Sequence, residues 1–190
     1  MHGAEAASDW VRRFAPLVPA GARVLDLACG AGRHTRLFAQ AGCRVVAIDR
    51  EPRLDDDLRT HPCVDVRAAD LEQGAWPLGA ERFDAIVVTN YLHRPLFPHL
   101  LAALVPGGLL LYETFAVGNA AFGKPSNPEF LLAPAELLRV VGAALRVIAF
   151  EDGYVESPRP AMVQRMAALQ PRPDSEPRPE HVALRSRLCR

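Results

Sequence analysis

Apolar residues along this chain fall into short runs that alternate with segments of helical periodicity. Parallel strands buried on both faces are almost continuously apolar, and five runs have this character: residues 24–27, 43–49, 62–67, 82–88 and 109–113. Two later runs, at residues 145–150 and 161–168, predict a closing pair of strands. The second of these alternates partially between apolar and polar residues, as an antiparallel edge strand does. The pattern therefore predicts an α/β architecture with a mostly parallel sheet.

Apolar residues at three- and four-residue spacing predict four helices between these strands. The first covers residues 5–17, with an apolar stripe of Trp10, Val11, Phe14 and Leu17. The second runs from His34 to Gly42 and has Leu37, Phe38 and Ala41 on one face. Another covers residues 134–141. The remaining helix begins at Pro95 or Pro98 and turns these side chains inward: Leu96, Phe97, Leu100, Leu101 and Leu104.

The stretch over residues 24–34 combines a buried strand, a glycine turn and a helix start. Gly30 and Gly32 permit positive φ and let a ligand lie close to the backbone. A strand, turn and helix in this order present free N–H groups and the positive end of a helix dipole to a ligand. The spacing is not that of a dinucleotide fingerprint, because Thr35 occupies the position of its third glycine. The stretch thus predicts a nucleotide-type site, with the nucleotide still to be identified.

Acidic residues follow two of the predicted strands. Asp49 stands at the carboxyl end of its strand, where open α/β sheets bind ligands, and its carboxylate can accept hydrogen bonds from both ribose hydroxyls. Asp70 and Leu71 follow the next strand. The acids over residues 55–57 are interpreted as solvated loop residues.

These motifs together resemble those of the class I S-adenosylmethionine (SAM) methyltransferases. Asp26-x-Ala28-x-Gly30-x-Gly32 resembles their motif D/E-x-G-x-G-x-G, with Ala28 in place of the first glycine. Asp70 with its following apolar residue resembles the adenine-binding motif, and residues 83–88 resemble the F/Y-D-x-I/V motif, in which Asp84 is structural. Residues 104–110 read L-x-P-G-G-x-L, a run that is also found in this family. The resemblance covers residues 20–115. The chain is broadly similar to compact tellurite-resistance-type methyltransferases.

The resemblance implies a Rossmann-like seven-stranded, mostly parallel sheet with helices on both faces and an antiparallel C-terminal hairpin. It also implies SAM as cofactor. The residues expected at the cofactor are Asp26, Ala28, Cys29, Gly30, Gly32, Asp49, Arg50, Asp70, Leu71 and Asn90. Trp76 either covers the adenine or fills the edge of the core, and the sequence favours neither.

Methyl transfer from a sulfonium needs alignment and exclusion of water, and it needs a base only where the acceptor must lose a proton. Tyr91, His93 and Glu113 are the candidate catalytic residues. Residues 114–131 form a long connection that leaves the fifth strand and is predicted to act as a lid over the acceptor. Its candidate substrate contacts are Asn119, Phe122, Lys124 and Asn127. The alternative is an inert excursion closed by Asn-Pro turn chemistry.

Composition and charge limit the classes of function that remain for this chain. Lys and Arg number 22, as do Asp and Glu, so no net charge draws the chain to nucleic acid or to an anionic membrane. No apolar run is long enough for a membrane span, and residues 1–5 lack the features of a signal peptide, which predicts a cytoplasmic location. The four cysteines show no metal-ligand spacing, so no metal is expected. We expect one methyltransferase domain over residues 1–170 and a flexible Pro- and Arg-rich tail over residues 171–190.

The prediction is a SAM-dependent methyltransferase that acts on a small molecule. Three alternatives stay open. The first is a SAM-binding partner or sensor without turnover, because no catalytic base is unambiguous. The second is an RNA or protein methyltransferase that uses the basic tail, with Arg185, Arg187 and Arg190. The third is an NAD-dependent enzyme, which Thr35 and the P-G-G run oppose. The oligomeric state is left open.

Overall fold

The computed structural model describes residues 6–142 and 144–173 of the 190-residue chain. Its centre is a seven-stranded sheet in the order β3-β2-β1-β4-β5-β7-β6. The strands are β1 Arg23–Leu27, β2 Arg44–Asp49, β3 Val64–Ala68, β4 Phe83–Thr89, β5 Leu104–Phe115, β6 Arg146–Val155 and β7 Ala161–Leu169. The α-helices are α1 Asp9–Phe14, α2 Arg33–Gln40, α3 Asp56–Arg59, α4 Phe97–Ala103 and α5 Glu136–Val141.

Strands β1 to β5 run parallel, and β7 inserts antiparallel between β5 and β6. Leu25 in the centre of the sheet pairs with Val46 on one side and Ile86 on the other. On the far side, Leu111 pairs with Ala167 of β7. The predicted fold class, with its antiparallel C-terminal hairpin, is confirmed.

Both faces of the sheet are buried, because successive strand residues enter different helix layers. Val24 packs with Phe14 of α1 and Phe38 of α2, whereas Leu25 packs in the cluster that contains Leu100 of α4 and Leu137 of α5. This two-sided burial explains why the parallel strands are almost continuously apolar in the sequence. Because β1, β2, β4 and β5 run parallel, their carboxyl ends lie along one rim of the sheet.

Several elements differ from the sequence prediction, and α3 contains Asp56 and Asp57, which were interpreted as loop residues. The N-terminal helix is shorter than residues 5–17: it begins after Ser8, whose Oγ accepts a hydrogen bond from the Trp10 N–H (3.1 Å), and a 3-10 turn containing Pro16 replaces its last turn. Proline lacks the N–H that an α-helix interior requires. The helix over α4 ends earlier than expected, since Leu104 pairs with Phe83 as the first residue of β5. Strand β6 continues to Val155, five residues beyond the predicted end.

The P-G-G run lies within β5 as an irregularity. Pairing with β4 jumps from Phe83–Leu104 to Ala85–Leu109, so the intervening residues bulge out of the ladder. Gly107 has a φ of +84° there and donates its N–H to the Gln170 carbonyl (2.8 Å). This hydrogen bond connects the start of β5 to the residue that follows β7.

No helix in the described ranges is both long and apolar enough to cross a membrane. Most of the predicted tail, including Arg185, Arg187 and Arg190, lies outside the described residues. The same is true of residues 1–5 at the start of the predicted first helix.

Candidate functional site

The loop between β1 and α2 contains three residues with positive φ: Ala28 (+56°), Gly30 (+54°) and Gly32 (+76°). A Cβ at Gly32 would lie 2.8 Å from Leu54 Cγ, so this glycine is required for packing against the segment after β2. A Cβ at Gly30 would meet nothing within 4 Å, because this residue faces an open cavity. The two glycines therefore serve different purposes, one for packing and one for access by a ligand.

Asp26 lies beneath this loop and fixes the start of α2. Its Oδ2 accepts hydrogen bonds from the Thr35 N–H (2.8 Å) and from Thr35 Oγ1 (2.6 Å). Burial raises the Asp26 pKa to about 6, against the lowering effect of the two Thr35 bonds. Asp26 was expected among the cofactor ligands, but it joins β1 to α2 and lines none of the three cavities described below.

Asp49 joins the end of β2 to the same loop from the side. Its Oδ2 accepts from the Gly30 N–H (2.9 Å), and its Oδ1 accepts from the Glu51 N–H (2.9 Å). A carboxylate oxygen has more than one lone pair, so both oxygens can accept a further hydrogen bond. The partly exposed Asp49 thus orders the loop and still faces the cavity beside it.

Two adjoining cavities follow the carboxyl ends of β1, β2 and β4, with volumes of about 870 and 230 Å³. They share Ala28, Asp49, Arg53 and Tyr91 in their walls. We call them together the cofactor cavity. Most of the predicted cofactor residues line it: Ala28, Cys29, Gly30, Asp49, Arg50, Asp70, Leu71 and Asn90. Like Asp26, Gly32 is outside these walls and acts through the packing of the loop.

Tyr91 contributes a half-buried ring with a buried hydroxyl to the cofactor cavity. The hydroxyl makes no hydrogen bond of ordinary geometry to a described residue, although the Glu72 carboxylate lies beside it. Burial, together with the negative charges of Glu72, Asp70 and Asp49, raises the Tyr91 pKa above its usual value. This phenol therefore keeps its proton near neutral pH and is suited to donate a hydrogen bond to a ligand. It is poorly suited to act as a base.

Trp76 lies at the edge of the core instead of in the cofactor cavity. Its ring stacks on His99 with 5.3 Å between centroids and an angle of 4° between the planes. It packs against the core cluster below α4 and lines none of the three cavities. Of the two interpretations left open by the sequence, the structure supports the core edge.

A third cavity, of about 590 Å³, adjoins the cofactor cavity. The two share Ala6, Ala7, Arg33 and Asn90 at their junction. We call this third space the acceptor cavity. Its walls come from residues 6–9, β5, β7 and the loop between β6 and β7, and they include Glu113, Phe115, Arg159, Val163 and Arg165.

Ser8 fastens the N-terminal segment across both cavities. Its Oγ donates to Glu113 Oε2 (2.6 Å), and its N–H donates to His34 Nε2 (3.1 Å). Burial lowers the His34 pKa to about 3, so the ring is neutral and Nε2 can accept this bond. Neither Ser8 nor His34 was among the predicted site residues, because contacts across 26 and 105 residues leave no local pattern.

The three candidate catalytic residues are not brought together. Glu113 lines the acceptor cavity with a side chain that is 8% exposed, and Arg165 Nε lies 3.6 Å from its Oε2. Tyr91 belongs to the cofactor cavity. His93 lines none of the three cavities; its carbonyl accepts from the Leu96 N–H (3.0 Å) at the start of a 3-10 turn. The geometry therefore leaves Glu113 as the candidate beside an acceptor.

The connection over residues 114–131 does not cover the acceptor cavity as expected. Only Thr114 and Phe115 at its start belong to β5, and a bridge between Ala116 and Leu132 closes its base. Asn119 is 2% exposed; its Nδ2 donates to the Pro125 carbonyl (3.0 Å) and its Oδ1 accepts from the Met162 N–H (3.2 Å). Asn119 thus holds the connection together instead of facing a substrate.

The other three predicted substrate contacts also lie away from the three cavities. Asn127 Oδ1 accepts from the Glu129 N–H (3.0 Å), which is the Asn-Pro turn of the alternative interpretation. Phe122 is exposed and rests against Tyr154, with 5.2 Å between ring centroids, and Lys124 is exposed. The loop between β6 and β7 forms the wall that the sequence analysis assigned to this connection.

Comparison with known proteins identifies the family of this chain. A family described as "Methyltransferase domain" matches residues 2–171. Ubiquinone biosynthesis O-methyltransferase of Methylocella silvestris is 32% identical over 77% of this chain and 66% of its own length. The Xanthomonas axonopodis pv. citri protein of the same name is 36% identical over 57% of this chain and 49% of its own. The chain thus spans about half to two thirds of the length of these curated relatives.

Solved structures show the same fold. TehB from Haemophilus influenzae superposes with a TM-score of 0.67 at 18% identity, covering 88% of this chain and 63% of that one. The 1,6-didemethyltoxoflavin-N1-methyltransferase of Burkholderia thailandensis, solved with S-adenosylhomocysteine, has a TM-score of 0.61 at 22% identity, covering 85% and 76%. The resemblance noted in the sequence is confirmed: the chain belongs to the methyltransferase domain family.

Proposed function

We propose that this chain transfers a methyl group from SAM to a small-molecule acceptor. The observation that carries the proposal is the junction of two cavities at Arg33 and Asn90. On one side lies a space lined by the glycine loop and by the acids that end β2 and follow β3. On the other side lies a space with a buried carboxylate, Glu113.

The cofactor cavity fits SAM in its donor and acceptor groups. Asp49 has lone pairs for the ribose hydroxyls, and Asp70 with Leu71 lies beside it for the adenine. The unpartnered hydroxyl of Tyr91 supplies a donor to the same space. The Gly30 N–H, which a pyrophosphate would need, is already donated to Asp49. These features favour SAM over the NAD alternative.

SAM, when bound, supplies a methyl group that is already activated for transfer. The chain must then align the acceptor and exclude water. The segment over residues 6–8 lies at the junction of the two cavities, where Ser8 is hydrogen-bonded to His34 and Glu113. It can therefore help to align the acceptor and to exclude water. At the acceptor end we assign Glu113 as the carboxylate that takes the proton of an acceptor hydroxyl.

The acceptor cavity has the volume of a typical small-molecule site, which is roughly 300–1,000 Å³. The curated relatives are named O-methyltransferases. We therefore infer a hydroxyl group as the methyl acceptor, and we do not favour an RNA or protein acceptor.

Two measurements test the proposal. Calorimetry should show SAM binding to the purified chain. Incubation with SAM and a panel of small phenols, catechols, thiols and amines should release S-adenosylhomocysteine with at least one hydroxyl acceptor. SAM binding without transfer to any acceptor would support the non-catalytic partner or sensor, and binding of NAD in preference to SAM would overturn the cofactor assignment.

A further inference from the structure

The acceptor cavity is lined by more cationic than anionic side chains. Its cations are Arg33, Arg159 and Arg165, and its anions are Asp9 and Glu113. Asp9 is paired with the exposed Arg12, and Glu113 lies beside Arg165. Arg159 forms no ion pair with any residue in the described ranges; its guanidinium centre lies 5.5 Å from the centroid of the Phe115 ring. One positive charge in this cavity is therefore left without a carboxylate.

Strand register places this charge relative to the reaction site. Glu113 pairs with Arg165, and Phe115 pairs with Val163, so these four side chains share one face of the sheet. Two residues along a strand span about 7 Å, which separates the backbones of Glu113 and Phe115, and the Arg159 guanidinium lies 5.5 Å from the Phe115 ring. The acceptor cavity thus has a carboxylate near the junction and an arginine beside Phe115, farther along the strand.

Arg159 is an exposed residue that lines the acceptor cavity from the loop between β6 and β7. Phe115, Val155, Ala161 and Val163 form the apolar floor of this end of the cavity. A guanidinium next to apolar walls binds a carboxylate or phosphate through two parallel, charge-assisted hydrogen bonds. The aromatic ring holds the guanidinium plane without neutralising its charge.

Building on the proposed function, we infer that the methyl acceptor carries an acidic group, a carboxylate or a phosphate, that binds Arg159. The acid lies over Phe115 while the reacting hydroxyl lies at Glu113, near the junction with the cofactor cavity. Arg165 offsets the negative charges of Glu113 and Glu151, since its guanidinium nitrogens lie 3.6 and 3.5 Å from their carboxylate oxygens. Arg159 is then the specificity-determining residue of this site.

The test is equilibrium binding to protein saturated with S-adenosylhomocysteine, which does not depend on turnover. The probes are para-hydroxyphenylacetate, its uncharged counterpart para-hydroxyphenylacetamide, and para-hydroxyphenyl phosphate, each of which carries a free phenol hydroxyl. We expect at least one acidic probe to bind about tenfold more tightly than the amide, a preference that Arg159→Gln removes. Whichever acid binds more tightly identifies carboxylate or phosphate as the preferred group.

Arg44→Gln is the matched control, because Arg44 is an exposed arginine at the start of β2 and lines none of the three cavities. It should retain the preference for the acid. Equal binding of acid and amide, no binding of any probe, or an acid preference that persists in Arg159→Gln would overturn the inference. SAM affinity is measured in parallel: its absence in the parent protein would contradict the proposed function, whereas its presence with no acid preference would contradict only the anionic acceptor.

Discussion

The cofactor cavity and the acceptor cavity are built in different ways. The first is lined largely by residues at or after the carboxyl ends of parallel strands, such as Ala28 after β1 and Asn90 after β4, with further walls from residues 6–7 and from α2. The second joins residues 6–9, β5 and the hairpin of β6 and β7, and its central hydrogen bond, Ser8 to Glu113, spans 105 residues. A site at strand ends follows from the topology of a parallel sheet, whereas the acceptor cavity depends on how distant segments pack.

The two cavities also differ in what does the binding. The cofactor cavity combines charged side chains with backbone geometry, in which Gly30 has positive φ and donates its N–H to Asp49. In the acceptor cavity the charged side chains Glu113, Arg165 and Arg159 stand on β5, on β7 and on the loop between β6 and β7. Substitutions should therefore separate the two: changes in one should alter SAM affinity, and changes in the other should alter turnover and acceptor choice.

The largest expected effect is on turnover. Glu113→Gln keeps the size of the side chain and removes the carboxylate, so kcat for a hydroxyl acceptor should fall by about a hundredfold or more. SAM affinity should change little, because Glu113 does not line the cofactor cavity. Single-turnover release of S-adenosylhomocysteine at saturating SAM measures this.

Glu151→Gln provides the control for that experiment. Glu151 also lies beside Arg165, but it is half-exposed and lines none of the three cavities. It should cost less than about threefold in kcat, as expected for a surface ion pair. An unchanged kcat in Glu113→Gln would remove this residue from the proton-transfer role.

A smaller effect is expected at the cofactor. Asp49→Ala removes the acceptor for the Gly30 N–H and for the ribose, and should weaken SAM binding by about 1–3 kcal/mol, or roughly 5- to 150-fold in Kd. Calorimetry measures the change. Asp56→Ala, an exposed acid on α3 that lines none of the three cavities, should leave Kd within about twofold. Equal affinities of the two variants would contradict the ribose assignment.

The next effect is a pH dependence of stability that comes from His34. Its pKa is about 3 in the folded chain and near 6.5 when unfolded, so its stabilising contribution is present above pH 6.5. That contribution is lost as pH falls toward 3, by up to about 1.4 kcal/mol per pH unit, because the unfolded state binds the proton. Asp26 acts in the opposite direction: its pKa, raised to about 6, makes the folded state less stable as pH rises from about 4 to 6.

Denaturant unfolding between pH 4 and 7 checks this prediction. His34→Gln should reduce the loss of stability on acidification relative to the parent chain. His93→Gln, outside the three cavities and half-buried, should retain the parental slope. The same slope in His34→Gln and the parent would show that the bond from the Ser8 N–H does not depend on a neutral ring.

The smallest effect is expected in the connection over residues 114–131. Lys124→Ala and Phe122→Ala change exposed side chains that line none of the three cavities. Each should change kcat/KM for the acceptor by less than about twofold. A tenfold rise in KM would support this connection as a lid over the acceptor and would contradict the assignment of the acceptor to the acceptor cavity.

The strand pattern, the glycine loop and the residues that follow the strands could be predicted because each depends on neighbouring residues. A buried parallel strand is apolar along its length, and Gly30 at positive φ marks a turn in the sequence itself. Asp26 shows the limit of such motifs. Its place in the chain was predicted, but its carboxylate turns toward Thr35 instead of the cavity, because the buried start of α2 needs an acceptor.

The sequence by itself determined the fold class, the family resemblance and the rim of the sheet along which most of the predicted cofactor residues lie. Tertiary structure alone decided which residues line the acceptor cavity: Ser8, Glu113, Arg159 and Arg165 are brought together by the packing of residues 6–9 and by the pairing of β7 between β5 and β6. The physical reason is the separation in sequence between the residues that make each contact. Strand patterns and turns come from local backbone preferences and burial, whereas the acceptor cavity forms from contacts between segments whose order in space the local pattern does not contain.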